Sequence, residues 1–254
     1  MHTFYIFIFF IFGTIFGSFF NVVACRLSKG KSIIAPPSSC DSCGKRLKWY
    51  ELIPILSYIF LGGKCKSCKA KISPSNLIIE IVTGILFATC YNKFLFTPKL
   101  ILALLFVSTL IIIIVSDIEY MIILDEVLFV GIVSIIVYYL NTCSLVETGF
   151  HVLDGVYAFL TIYALKLLGD FIFNKESLGG GDIKLMFLFG LVLGFDMSIV
   201  AVFLGTFLAF PIALYVLFSR RDNMIPFGPF LAIASIVILI TNLTLDKIIN
   251  YILI

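Results

Sequence analysis

Charge and histidine are the two things this chain has least of. Asp, Glu, Lys and Arg make up 13% of its 254 residues, about half the share found in soluble domains. With 61% hydrophobic residues and a mean hydropathy of +1.14, a soluble globular fold is excluded. Apolar runs long enough to span a bilayer recur along the sequence, so the chain reads as a multi-pass membrane protein. The only histidines are His2 and His151, which leaves little material for Ser-His-Asp or Cys-His catalysis or for a His-ligated metalloprotease. No glycine-rich nucleotide loop of the G-x-G-x-x-G type follows a strand pattern. A cleavable signal peptide is not indicated either. The first apolar run begins almost at Met1 with no basic stretch before it, and it ends at Cys25-Arg26 without a small-residue cleavage site. Residues 3–25 are expected to be a retained first span.

The expected fold is an all-α integral membrane protein of about eight transmembrane helices, near 3–25, 76–96, 100–118, 126–141, 150–173, 183–196, 198–219 and 226–252. The net charge of +3 hides an asymmetry: residues 26–75 hold ten of the eighteen Lys and Arg and only two acids, Asp41 and Glu51. Basic loops stay in the cytoplasm, so this loop is expected inside and Met1 outside. Counting spans then puts 119–125, 174–182 and 220–225 inside, and Arg220-Arg221 agrees. Both histidines fall outside. The count also brings Asp117 and Asp182 to one cytoplasmic edge. Gly13-x-x-x-Gly17 and Gly190-x-x-x-Gly194 read as close-packing sites between helices. The 27 phenylalanines read as lipid-facing or packing residues.

Cys40-x-x-Cys43 and Cys65-x-x-Cys68, with 21 residues between them, have the spacing of a four-thiolate zinc site built from two tight knuckles. Sulfur favours zinc over magnesium or calcium, and Lys45, Arg46, Lys66 and Lys69 offset the thiolate charge. A cytoplasmic loop is kept reduced, which argues against disulfides, and no thioredoxin-like pattern surrounds the pairs. A closed four-cysteine site stabilises the loop rather than catalysing. Cys25, Cys90 and Cys143 read as small packing residues.

A carboxylate at membrane depth is costly and marks a functional site by default. Asp117 ends the third expected span. Asp182 opens the sixth, directly after Gly179-Gly180-Gly181, where the backbone can turn sharply and the helix N-terminus favours an anion. Two nearby carboxylates can divide acid and base roles in peptide hydrolysis, because like charges do not both ionise cheaply. Glu119 and Asp125 are candidate supporting residues, together with Gly179 and Gly181. Glu80, Asp154 and Asp170 are read as structural.

The ordered set of motifs resembles the bacterial type IV prepilin peptidases, the Gly-x-Gly-Asp leader peptidases and N-methyltransferases of pili, competence and type II secretion. The resemblance runs through Gly17-Ser18-Phe19-Phe20-Asn21-Val22-Val23, the two cysteine pairs and, between them, the segment from Trp49-Tyr50-Glu51 to Ser57. It continues from Ser73 to Glu80 and Gly84, and through Asp117 to Leu178-Gly179-Gly180-Gly181-Asp182-Ile183-Lys184. It implies that Asp117 and Asp182 are catalytic and that a basic leader is cut after a glycine at the cytoplasmic face. It also implies methylation of the new N-terminal residue with S-adenosylmethionine, a methyl donor to which no residue is assigned. Archaeal-type relatives without methylation lack the cysteine loop, so its presence favours the bifunctional form. Where the family often has a proline before the acid closing the first aspartate segment, this chain has Ile123-Leu124-Asp125.

The expected organisation is a first helix at 1–25, a cytoplasmic zinc loop at 26–75 and a membrane-embedded protease core at 76–254. The expected partners are prepilins or pseudopilins and the lipid of the plasma membrane, with no nucleic acid. Two other readings stand beside this one: a peptidase of the same fold without methyl transfer, and a membrane scaffold or transporter. The sequence lacks the paired, interrupted spans that many transporters show.

Overall fold

The computed structural model describes residues 1–40, 42–175, 177–218 and 226–252, without the side chains of residues 217, 251 and 252. Asp41 and Arg220-Arg221, which enter the charge count, lie outside the described residues. The described chain is almost entirely helical, and its only β-pairings are two isolated bridges, Ser39 with Arg46 and Lys64 with Lys71. The helices are α1 (His2–Leu27), α2 (Leu56–Phe60), α3 (Pro74–Phe94), α4 (Pro98–Tyr120), α5 (Asp125–Thr142), α6 (Leu145–Phe173), α7 (Gly180–Leu193), α8 (Phe195–Phe218), α9 (Gly228–Thr241) and α10 (Leu245–Ile252), with a 3-10 turn at Trp49–Glu51. Six of them are long and apolar enough to cross a membrane, α1, α3, α4, α5, α6 and α8. The short apolar helices α7 and α9 fall where the sequence leads one to expect two further spans.

Two boundaries differ most from the sequence reading, each for a local reason, and the others shift by up to three residues. The expected span at 150–173 starts five residues earlier, because Ser144 caps α6: its Oγ accepts from Glu147 N–H, and the Glu147 carboxylate accepts from Ser144 N–H. This reciprocal capping box satisfies two otherwise orphaned donors. The single expected helix at 226–252 breaks into α9 and α10 because Asn242 adopts the left-handed conformation, φ 52° and ψ 45°, which ends α9.

The chain divides into two compact units, Met1–Leu100 and Ile101–Ile254. In the first, α1 lies against α3 at backbone distance. A Cβ at Gly13 would sit 2.6 Å from the Thr83 carbonyl oxygen and 2.7 Å from Gly84 Cα, and one at Gly17 would sit 2.8 Å from Thr83 Oγ1. Asn21 donates across the same seam to Asn76 at 2.6 Å. Small residues and a polar bridge are the standard means of joining helices in lipid, where apolar contact alone gives no preference for protein over acyl chain. The Phe9 ring stacks on Tyr91 at 4.7 Å.

In the second unit α6 and α7 cross at Gly190, where a Cβ would meet the Asp154 carbonyl oxygen at 2.5 Å. Gly194 departs from the expected packing role. At φ 83° it is the residue that ends α7. The Phe106 and Phe189 side chains, both fully buried, meet edge to face in this core.

Candidate active site

Four helix ends in the second unit converge on Asp117. Asp117 itself is buried near the C-terminal end of α4. The chain then turns through Met121, at φ 54°, whose N–H bonds back to the Asp117 carbonyl. Leu124 precedes α5 at φ −73°, close to the value a proline ring imposes. A proline would fit the backbone at this position.

Asp182 is the third residue of α7, with Gly179 as the residue before the helix. Its carboxylate folds back over that N-terminus: a Cβ on Gly179 would lie 3.1 Å from Asp182 Oδ2. Helix N-terminal N–H groups and the helix dipole favour an anion there. Gly181 is bare because Ile123 fills the space, 2.8 Å from where a Cβ would stand. The loop leading to these glycines is tied to α6: Asp170 Oδ1 accepts from Ser177 N–H at 2.6 Å, and Ser177 Oγ donates to the Lys166 carbonyl at 3.2 Å. The structural role expected of Asp170 is thus to hold the approach to α7.

Asp117 and Asp182 are near enough for their charges to repel. The contact between their surroundings runs through Ile123 and Gly228, the first residue of α9. A Cβ on Gly228 would lie 2.6 Å from Asp117 Oδ2 and 3.3 Å from Ile123 Cδ1, so the backbone of Gly228 packs directly against the Asp117 carboxylate. Sequence reasoning missed Gly228. The signal was Pro226-Phe227-Gly228-Pro229 directly before an apolar run, the pattern of a helix start with proline in its first turn. Replacing Gly228 with Ala is expected to displace the Asp117 carboxylate and lower turnover by about a hundredfold, the scale of a 1 Å misplacement. Substrate affinity would change little. Steady-state kinetics on the purified variant check this.

The candidate supporting residues separate. Asp125, at the head of α5, takes Lys184 Nζ with both carboxylate oxygens, at 2.7 and 2.8 Å, which links α5 to α7 two residues beyond Asp182. Both side chains are half exposed, so the pair aligns more than it stabilises. Glu119 is exposed on the last turn of α4. His151 stacks on Tyr139 at 4.1 Å, and the Tyr139 hydroxyl donates to the Leu191 carbonyl near the far end of α7. That places His151 at the opposite ends of α5 and α7 from the aspartates, about 21 Å along α5 from Asp125.

In the first unit the four cysteines gather: one sulfur from each of Cys40, Cys43, Cys65 and Cys68 lies within 4.8 Å of the others. The Cys40 and Cys68 sulfurs are 3.8 Å apart, the edge of a tetrahedron with zinc–sulfur bonds of about 2.3 Å. The two halves repeat one another. Cys40 N–H bonds to the Lys45 carbonyl and Gly44 N–H to the Cys40 carbonyl; Cys65 N–H bonds to the Ala70 carbonyl and Lys69 N–H to the Cys65 carbonyl. Gly44 and Lys69 occupy the same place in the two knuckles, both with positive φ, 69° and 60°. Backbone N–H groups of Cys68 and Ser67 pull the Cys65 thiol down to about 6, while burial and the neighbouring thiols push Cys68 up to about 11, the opposed shifts of sulfurs crowded at one site. The donor set fits zinc.

Comparison with known proteins follows these two units. Residues 11–94 match the profile described as the bacterial peptidase A24 N-terminal domain, and residues 104–214 match the type IV leader peptidase family. A prepilin leader peptidase/N-methyltransferase of Bacillus subtilis (strain 168) is 38% identical over 242 residues, covering 90% of this chain and 91% of that protein. Proteins of the same name from Vibrio cholerae serotype O1 and Pseudomonas aeruginosa are 29% identical over 245 residues and 28% over 254. They cover 92% and 88% of this chain, and 96% and 86% of their own lengths. No solved structure matches. With six helices fit to cross a bilayer, a four-cysteine cluster between α1 and α3 and this degree of identity, the chain is a multi-pass membrane protein that belongs to the type IV leader peptidase family of aspartic peptidases.

Proposed function

We propose that this protein removes the basic leader of prepilins or pseudopilins at the cytoplasmic face of the plasma membrane, with Asp117 and Asp182 as the catalytic pair. The observation that carries the reading is that these two carboxylates interact at neighbouring helix ends, where Gly228 packs on Asp117 and Ile123 packs on Gly228 and Gly181. One carboxylate, ionised, takes a proton from water as it attacks the scissile carbonyl. The other, protonated, gives its proton to the carbonyl oxygen, and like-charge repulsion keeps the two in different states. Gly228 packs against one oxygen of Asp117, which leaves the other free for water. Lys184 and Asp125 align α7, and through it Asp182, with α5.

The relatives' names extend the proposal to N-methylation of the new N-terminal residue. S-adenosylmethionine would supply the methyl group there. Cys40, Cys43, Cys65 and Cys68 would hold one structural zinc ion. The N-terminus is taken as outside, with the zinc loop and both aspartates on the cytoplasmic side, in keeping with the ten basic residues of 26–75.

The test is to incubate the purified protein in lipid with a prepilin and follow the product by mass spectrometry. Expected are cleavage after the leader's terminal glycine and, when S-adenosylmethionine is present, one added methyl group on the new N-terminus. Cleavage without methylation would leave the peptidase-only reading. Absence of cleavage for every prepilin offered would move a scaffold role ahead.

A further inference from the structure

Three features of the first unit have no part in peptide hydrolysis. The first is Glu80, a carboxylate buried on α3. Its Oε2 accepts from Ile55 N–H at 2.7 Å. The second is Ile55 itself, at φ 60° and ψ −54°, with Leu56 N–H bonding to the Pro54 carbonyl. This is a γ-turn of the rare, strained hand, and a β-branched residue adopts it only when its surroundings hold it there. The third is the run around that turn, Trp49 to Phe60. Trp49 is 77% exposed, Ile59 62% and Phe60 83%, and Leu52, Ile53 and Leu56 are exposed as well. So much apolar surface in twelve residues marks a contact with something else.

Depth identifies the contact. Glu80 lies six residues into α3, about 9 Å below its start. Its Cα is the backbone atom that a Cβ on Gly17 of α1 would meet at 3.0 Å, and Gly17 is ten residues, about 15 Å, from the end of α1 at Leu27. Even with the Glu80 side chain extended toward the helix start, the Ile55 main chain sits no higher than the start of α3, and well below the end of α1 at Leu27. It lies beside them rather than above them. Lys48 and Lys64 flank the run in a loop with ten basic residues and two acidic ones, and that charge complements anionic headgroups. Two further ties hold the run to the second cysteine knuckle. Lys66 Nζ is 4.9 Å from the centre of the Tyr50 ring, and the Tyr58 hydroxyl donates to the Ile72 carbonyl.

We propose that residues 49–60 form an interfacial wedge, inserted among the headgroups and upper acyl chains of an anionic membrane surface, with Glu80 as its anchor. Aromatic and aliphatic side chains flanked by lysines are what such an interface accepts. The carboxylate inside α3 serves to hold a strained turn at membrane depth, and the strain is the cost of keeping the loop beside the helix.

The chain provides its own probe, because Trp49 is its only tryptophan. The full-length protein is reconstituted in vesicles of phosphatidylcholine and phosphatidylglycerol, and Trp49 fluorescence is quenched by lipids brominated at different acyl depths and by aqueous iodide. Expected is a blue-shifted emission, quenched most by the shallowest bromine label and little by iodide. Glu80→Ala should move Trp49 toward water, seen as a red shift with stronger iodide quenching. Glu80→Gln, whose amide oxygen can still accept from Ile55 N–H, should stay near wild type. Iodide quenching of wild type as strong as that of free tryptophan, with no effect of brominated lipid, overturns the proposal. It would leave the exposed run for a protein partner such as the apolar helix of a substrate. Wild-type-like quenching in Glu80→Ala overturns the anchor.

Discussion

Asp117→Asn and Asp182→Asn are each expected to reduce prepilin cleavage by at least about a thousandfold, while the protein still inserts and still binds substrate. Asn keeps the volume and one acceptor oxygen of Asp but can neither take nor give the proton, so only the acid–base contribution is lost. Asn is nearly isosteric with Asp and fills the same space against Gly228, which is why the fold should survive. Because the two groups act as one unit, the double variant should be scarcely worse than either single one, the non-additivity of residues serving one step. Asp117→Glu tests position separately: the Gly228 contact leaves no room for a longer side chain, so Glu should fail although it is an acid. Single-turnover cleavage assays, with binding measured alongside, decide the matter. A variant at either aspartate that cuts at near wild-type rate means the pair is misassigned.

The second large effect concerns the metal. Cys40→Ser combined with Cys43→Ser removes one entire knuckle and is expected to reduce bound zinc from about one ion per chain to none, by elemental analysis. Apparent zinc-binding energies of small structural sites are about 10–16 kcal/mol at neutral pH, more than a loop of this size gains from its own packing. Most of the loop's side chains are exposed, and its regular structure is one 3-10 turn, the short helix α2 and two isolated bridges. Residues 28–73 should therefore become susceptible to limited proteolysis in the variant while the membrane helices stay protected. Unchanged zinc content would remove the metal from the description of this loop.

The helices are legible because lipid demands long apolar runs with satisfied backbones, and such runs stand out without any tertiary information. The cysteine spacing is legible because a tetrahedral thiolate site has few geometries. What sequence does not reveal depends on left-handed residues and on contacts between distant parts of the chain. Asn242 breaks the last helix by a backbone choice that a polar residue between apolar runs merely permits. Gly228 is 111 positions from Asp117, and no local pattern ties the two. Glu80 reads as structural, but its partner, the amide of a strained isoleucine 25 residues earlier, has no sequence signature. The capping box at Ser144 and Glu147 is readable, and the start of α6 is misplaced only because the apolar pattern weakens there.

The brevity of α7 and α9 has a consequence for the membrane. Each has 14 residues, about 21 Å of helix, against a hydrocarbon core of about 30 Å. Lys184, the fifth residue of α7, pairs with Asp125 at the head of α5. Hydrophobic mismatch of this kind thins the bilayer locally or is filled by water. Both short helices begin near Asp117 and Asp182, so a shortfall at that end would form a notch through which water reaches the carboxylates from the surface, with no pore needed through the protein.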